Sequence, residues 1–396
     1  MSIAWFFLCA TGISLVTQLI AVWASRRHLA RARRATTAPL PSLSLLKPIK
    51  GLEEGLEANL RSFYEQAYPG TFEVVFAAMS MDDLGVLVAE RVAAQYPKVQ
   101  TRFVRADPSF GLNPKVATLK AAYDAARFDL VFQSDANVRV HRDYLAQVVR
   151  ELEDERAHLL SSVVIGSGER SLGAAFENLQ LTAFIAPGMC AALYGAKLPC
   201  VVGKSMLFRR SELEAVGGLE SVRDILCEDF ILGRAYREHG YKVVLSPVTV
   251  TNVNEEISVE RFLARHSRWL KLRAVIHWVG FVADLLSNPV ALTFFAWVAS
   301  GFQTGFGTLL LATAAFKTVL DSYYVHLFRG TPVRASLLVF APIKDILMGL
   351  VWCYAVFSRS VRWRGRKLRF GKDSVLYADS RNVVVRMLGH LGIDAS

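Results

Sequence analysis

The sequence predicts an α/β domain on a mostly parallel sheet, preceded by an N-terminal transmembrane helix and followed by C-terminal transmembrane or interfacial helices. Three observations predict it. Strand-like and helix-like apolar runs alternate between residues 43 and 274, the order expected of a parallel sheet with helices on both faces. Residues 3–24 carry no charge and are long enough to span a bilayer. Beyond residue 279 the chain turns apolar again. Hydrophobic residues make up 53% of the 396 and charged residues still 20%, so the apolar excess sits at the two ends around a water-compatible middle.

Residues 1–25 read as the anchor. Arg26, Arg27, Arg31, Arg33 and Arg34 follow at once, and the positive-inside rule places everything after Arg26 in the cytosol. No basic segment precedes the apolar stretch and no small-residue cleavage site stands out, which disfavours a removed signal peptide. Residues 26–42 form a basic linker that ends with Pro39 and Pro41. LSLLKPIKG (43–51) is a short strand ending in a basic loop closed by Gly51. Residues 57–66 read as a helix, FEVVFAAM (72–79) as a buried strand, 83–95 as a helix and TRFVRA (101–106) as a strand. Residues 114–126 are a helix, FDLVFQSD (128–135) a strand ending in acid, and 145–154 a helix. Ligands of such sheets bind outside the carboxyl ends of the strands. The domain runs over 43–274 and takes in an amphipathic interfacial helix at 258–278. In the membrane region, 279–358, residues 279–299 and 304–320 each read as a span. Lys344 and Asp345 interrupt a third apolar stretch at 335–357, which suits an interfacial or half-buried helix better. A basic cytosolic tail, 359–396, follows. The apolar patch at 181–194, with Pro187 and Gly188, reads either as interfacial or as ordinary core.

The net charge of +11 is gathered at 26–34, 261–273 and 359–372, each beside a hydrophobic segment. That favours anionic lipid headgroups over nucleic acid. Cys9, Cys190, Cys200, Cys227 and Cys353 are odd in number and show no metal or redox spacing, so they read as reduced thiols without disulfides.

Three acidic positions draw attention. Asp82-Asp83 follows the strand FEVVFAAM, Asp135 ends FDLVFQSD, and Glu228-Asp229 opens a helical run. Each has a plain structural alternative: a helix cap, a turn residue and a carboxylate favoured by a helix dipole. Arg265, Arg268 and Trp269 stand at i, i+3 and i+4 of one helix and so share a face. Two guanidiniums and an indole there suit a diphosphate beside a flat ring or sugar, and equally the anchors of a membrane-surface helix.

In this order, D, D, ED and RxxRW resemble the pattern of the family 2 and family 21 glycosyltransferases, among them the ceramide glucosyltransferases. The matching pieces are KPIKG (47–51), MDD ending at Asp83, YPKV (96–99), GLNPK (111–115), FDLVFQSDANVRV, GKSMLFRR (203–210), GGL (217–219), CEDF (227–230) and RHSRWLKLR (265–273). Each is weak alone; their order and spacing along nearly the whole chain are specific. The resemblance implies a cytosol-facing GT-A domain, a UDP-sugar donor with glucose foremost, a ceramide-like lipid acceptor and a divalent cation, Mg or Mn. It implies that Asp83 holds the nucleotide, Asp135 reaches the metal and diphosphate, Asp229 is the general base, and Arg268 with Trp269 forms the leaving-group site, with Arg265 a donor-side candidate beside them. Lys47, Lys50, Gly51 and Lys115 are further donor-side candidates, the lysines at 47 and 50 having a solvated-surface alternative. Gly203, Lys204 and Glu228 are acceptor-side candidates. Ser80 and Met81 stand where relatives often have further acids, and Ala136-Asn137 replaces a second carboxylate, which makes Asn137 a neutral oxygen ligand for a hard cation.

Inverting transfer to a primary hydroxyl, giving a β-glycolipid, is the reading these residues support. The same chemistry on a hopanoid, sterol or diacylglycerol is the alternative. A processive polysaccharide synthase needs more spans than this chain offers, and a non-catalytic membrane-surface protein would not need Asp229, Arg268 and Trp269 together. The Ala/Arg-rich composition points to a bacterial inner membrane.

Overall fold

The computed structural model describes residues 3–31, 39–358, 360–363 and 366–377. Part of the basic linker and most of the tail therefore lie outside the described residues. Helix α1 (Ile3–Leu29) leads in. Strands β1 (Leu43–Pro48), β2 (Phe72–Ala78), β3 (Gln100–Arg105), β4 (Leu130–Gln133), β5 (Val138–Arg139), β6 (Leu159–Ser167), β7 (Met206–Arg209) and β8 (Val243–Val253) form one sheet in the order β3-β2-β1-β4-β7-β6-β8-β5. The half β3-β2-β1-β4 is parallel, with Leu46 of β1 level with Val75 and Gln133. Strand β7 runs antiparallel to both neighbours and β5 antiparallel to β8. The sheet is thus mixed, as the return of β7 between β4 and β6 requires.

Helices α2 (Leu56–Tyr64), α3 (Leu84–Ala93) and α4 (Pro114–Ala125) are the crossovers of this half, and α5 (Tyr144–Asp154) joins β5 to β6. Val74, Phe76 and Phe132 pack into one buried cluster with Leu60, Phe63 and Val148, while Val75 and Val131 face a second cluster with Leu119 and Tyr236. Alternation along the central strands thus serves both layers, which is why their sequences read as continuous apolar runs. Strand order reverses beside β1, where β2 lies on one side and β4 on the other, so a crevice opens between the ends of β1 and β4.

Helices α6 (Leu172–Gln180) and α7 (Ala186–Ala196) are joined by a wide π turn at Leu181–Ile185, giving a continuous apolar rod of 25 residues. Short α8 (Arg210–Ala215) and then α9 (Glu228–Glu238) follow. Helix α10 (Val259–Ile276), capped by Ser258, carries the RHSRW residues and runs into α11 (Trp278–Leu286). Helices α12 (Pro289–Ala299), α13 (Thr304–Arg329), α14 (Ala335–Leu338) and α15 (Ala341–Val356) complete the apolar region. The stretch 279–299 is not one straight span: the chain bends by 73° between α11 and α12, where Asn288 caps α12 and Pro289 opens it. A helix capped anew by Asn-Pro cannot continue the preceding axis.

By length and composition, Ile3–Leu29, Leu172–Ala196 and Ala335–Val356 could each cross a membrane, and the bent α11–α12 pair makes a fourth candidate. Their attachments differ. The α6–α7 rod leaves the sheet at Ser171, bonded to Ile257 O, and returns to it at Val202, whose N–H meets Ser161. The α14–α15 segment starts just after Arg329, ion-paired with Glu169 at 2.7 Å. It ends beside Ser360, whose carbonyl accepts from Lys271. Both rods begin and end against the domain. Helix α1 instead runs away from it, exposing Trp5, Phe6, Ile13, Val16 and Leu19, and its far end meets the start of α13, where Trp5 packs edge-on to Phe306 at 5.9 Å.

After α15 the chain comes back as a small antiparallel sheet, β9 (Ser360–Trp363), β10 (Arg366–Phe370) and β11 (Leu376–Tyr377). Its last turn docks on the loop before α9. Leu226 N–H donates to Ser374 O, Cys227 N–H to Ser374 Oγ, and Leu376 N–H to Asp224 O at 2.7 Å. The five cysteines are all free thiols.

Candidate active site

The crevice beside β1 is built by three turns. At the end of β2, Asp83 caps α3: its carboxylate accepts from Gly85 N–H at 2.8 Å and from Gly51 N–H at 2.8 and 2.9 Å. This locks the KPIKG loop to the next strand. Only glycine suits position 85, since a Cβ there would fall 2.4 Å from Gly51 O. Asp83 therefore performs the capping role its position allows and ties that cap to the Gly51 loop at the edge of the crevice. Lys50 is exposed on the same loop.

Lys47 points inward. Its ammonium lies 3.4 Å above the Phe63 ring and donates to Ser134 Oγ and to Asp135 O at 2.9 Å. Burial pushes its pKa well below the usual lysine range, with Asp135 opposing. It fixes the main chain at Asp135 from behind.

The carboxylate of Asp135, at the end of β4, is gripped by two lysines. Oδ1 lies 3.2 Å from Lys115 and Oδ2 3.4 Å from Lys204. Burial alone would raise its pKa, but the two ammoniums outweigh it and bring it down to about 2. Lys204 also donates to Asn137 Oδ1 at 2.8 Å. Burial draws the pKa of Lys204 down and Asp135 opposes. Lys115 is held the other way: burial acts against its charge, yet Asp135, Glu228 and Asp229 together keep it above its ordinary value. Its ammonium pairs with Glu228 Oε1 at 2.8 Å. Glu228 is pushed up by burial, partly offset by Lys115, and pushed further by Asp229.

Asp229 is oriented by main chain. Oδ2 accepts from Gly203 N–H and Oδ1 from Phe230 N–H, both at 2.8 Å, with the Cys227 thiol 3.5 Å from Oδ1. A Cβ on Gly203 would come within 2.7 Å of Lys115 Nζ, so a side chain there would push the ammonium from its place against Asp135 and Glu228. GLNPK has a similar logic. Asn113 caps α4, places Lys115 in its first turn, and donates to Ile225 O just before the CED acids. The structure thus gathers Asp135, Asn137, Lys115, Gly203, Lys204, Glu228 and Asp229 in one cluster.

The RHSRW residues form a separate wall. Arg265 donates to Glu177 Oε1 at 2.8 Å and to Asn254 Oδ1 at 3.3 Å, and His266 Nε2 meets Glu177 Oε2 at 3.1 Å. Arg268 is half-buried beside them. Trp269 packs edge-on to His266, ring centres 5.0 Å apart. It lines a narrow cleft of about 40 Å³ together with Phe184, Leu270, Met348 and Trp352, and with the Arg273–Asp284 ion pair. Glu177 and His266 were not singled out by the sequence reading. Glu177 is the lone charge between Leu172 and Ala196, and an acid alone in so apolar a run must have a partner.

Glycosyl transferase family 21 matches residues 6–376. The chain belongs to that family. It is 29% identical to ceramide glucosyltransferase 3 of Caenorhabditis elegans over 82% of this chain and 72% of the worm protein. To ceramide glucosyltransferase 1 of the same organism it is 25% identical, over 83% and 72%. Among solved structures, a mannosyltransferase from Pyrobaculum calidifontis in complex with GDP-Man and Mn2+ superposes with a TM-score of 0.55 at 18% identity, covering 89% of this chain and 99% of the archaeal one. That likeness establishes the GT-A fold. The chain is therefore a glycosyltransferase of family 21 with a GT-A fold.

Proposed function

We propose that this enzyme transfers glucose from UDP-glucose to the primary hydroxyl of ceramide or a closely similar membrane lipid, inverting the anomeric carbon. The observation that carries the reading is the placement of Asp229 beside the Lys115–Asp135–Lys204 cluster at the switch point of the sheet. Asp229, fixed by two amides, takes the proton of the acceptor hydroxyl as its oxygen bonds to the anomeric carbon. The bond to the UDP oxygen breaks in the same displacement, and UDP leaves with the electron pair. Lys115, with Arg268 from α10, meets the charge that develops on the leaving diphosphate. Asp83 and the Gly51 loop flank the nucleotide, while Lys47 holds Asp135 in place.

The oxygens here suit a hard divalent cation. Asp135 Oδ2 and Asn137 Oδ1 already converge on one cationic group, the Lys204 ammonium. Among the described residues no three His, Cys, Asp or Glu side chains come together as a metal site, so Asp135 and Asn137 would hold a cation jointly with the diphosphate oxygens. Such an ion supplies Lewis-acid stabilisation of the leaving group.

The attachments of the apolar helices suggest how the enzyme lies in a membrane. In this arrangement helix α1 crosses once, the bent α11–α12 pair goes out beside it, and α13, 26 residues long though less apolar than the other candidates, comes back. The α6–α7 and α14–α15 rods leave from the domain and return to it, so they lie in the interface. The basic segments 26–31 and 261–273 then share the domain's side, which favours the cytosolic face, that of a bacterial inner membrane on composition.

The test is UDP release by detergent-purified protein with UDP-glucose, with and without ceramide, alongside Asp229→Asn. Ceramide-stimulated release abolished by the substitution is the expected result. No release with any divalent metal overturns the ceramide and glucose assignment.

A further inference from the structure

The cleft behind Trp269 contains a polar group that the transfer chemistry does not use. Gln180 ends α6 where the π turn begins. It is 97% buried (3% exposed) and lines the cleft with Phe184, Trp269 and Met348. Its Oε1 accepts from Lys344 Nζ at 3.1 Å. An ammonium is donor only, so the amide has one allowed orientation: oxygen toward Lys344, NH2 the other way. Among the described residues that NH2 makes no hydrogen bond. Lys344 is itself fixed by Asp345 at 2.6 Å, and Asp345 shares Lys317 with Asp321. All four charges are buried. A chain of ion pairs therefore fixes the Gln180 amide in the wall of a cleft that Phe184, Met348 and Trp352 share with His266, Asn288 and the Arg273–Asp284 ion pair.

We propose that Gln180 is a specificity-determining residue that donates to a carbonyl oxygen of the lipid acceptor. This rests on the lipid-transfer reading above. The lining of the cleft includes Trp269 but none of Asp135, Glu228 or Asp229. The atom that Gln180 meets is therefore a second acceptor atom of the lipid, distinct from the reacting hydroxyl. A buried donor discriminates strongly against ligands that leave it unpaired. An acyl-amide lipid offers such an oxygen; a sterol or hopanoid, whose only polar group is the reacting hydroxyl, does not.

The experiment compares a short-chain ceramide with its alkene isostere, in which a C=C bond replaces the amide, using wild type, Gln180→Leu and Gln180→Glu. The Gln180→Glu variant keeps the shape and the Lys344 contact but loses the donor. Wild type is expected to show a KM about tenfold higher for the isostere. Both variants are expected to raise the ceramide KM to that level and to erase the discrimination, with the UDP-glucose KM unchanged. Equal KM values for the two lipids in wild type, or discrimination that survives in the variants, overturns the proposal while leaving the transferase assignment intact. Transfer to neither lipid by wild type overturns the ceramide reading itself.

Discussion

Two clusters of buried charge lie in this molecule, and they are built on opposite principles. In the strand-end cluster the side chains set Lys115 and Lys204 against Asp135, Glu228 and Asp229, three acids to two bases, while Lys47 is turned to the main chain behind Asp135 and drawn toward its neutral form by burial. The cluster among the apolar helices sets Lys317 and Lys344 against Asp321 and Asp345, two to two, closed on itself. A balanced set can remain away from water because each charge has a partner. An unbalanced negative set receiving a diphosphate needs further positive charge, which is a physical reason to expect a cation and an arginine wall beside it. Net charge, more than burial, separates the reacting centre from the scaffold.

The comparison can be broken in several ways. Asp229→Asn should lower kcat by about 100- to 10,000-fold with the UDP-glucose KM nearly unchanged; a kcat within tenfold of wild type would remove Asp229 from the base role. Asp135→Asn leaves Lys115 and Lys204 facing an amide and should cost about 100- to 1000-fold in turnover. In a divalent-metal titration its half-saturation should move to higher concentration. In the closed cluster, Lys317→Met strands Asp321 and should destabilise the protein by about 3–5 kcal/mol, whereas Lys317→Met with Asp321→Leu should recover most of the loss. Thermal unfolding in detergent reads both. The smallest effect is on pH. Asp135 has a pKa depressed to about 2, so its stabilising contribution is complete above the unfolded carboxylate range near 4. That contribution is lost as pH falls toward about 2. The stability gap between wild type and Asp135→Asn should therefore shrink between about pH 5 and pH 2, and a gap that widened would reverse the assigned cause.

Strand ends and the acids on them were legible because a parallel sheet writes its strands as short apolar runs closed by polar turns, as at FDLVFQSD. The mixed character of the sheet was harder to see: β7 is four residues long and its antiparallel return depends on pairing with Leu130–Gln133, which no local pattern encodes. Hydropathy registered residues 279–299 as one stretch because it averages over Asn288, whose capping bond to Ala291 turns the axis. It also marked 181–194 as an apolar patch without showing that this is part of the Leu172–Ala196 rod, both ends of which are sewn to the sheet. Lys47 reads as a loop lysine until Phe63, sixteen positions on, is found under its ammonium. Long-range contacts of that kind are settled by the fold as a whole.

The docking of Ser374 on Leu226 and Cys227 has a temporal side. The loop that presents Glu228 and Asp229 is fastened by a residue that follows the apolar helices in the chain. Domains fold in the order in which they leave the ribosome, and here the last piece of the reacting centre emerges only after the membrane helices have been made. The nascent chain therefore lacks this fastening of the Glu228–Asp229 loop until its own apolar helices have been made.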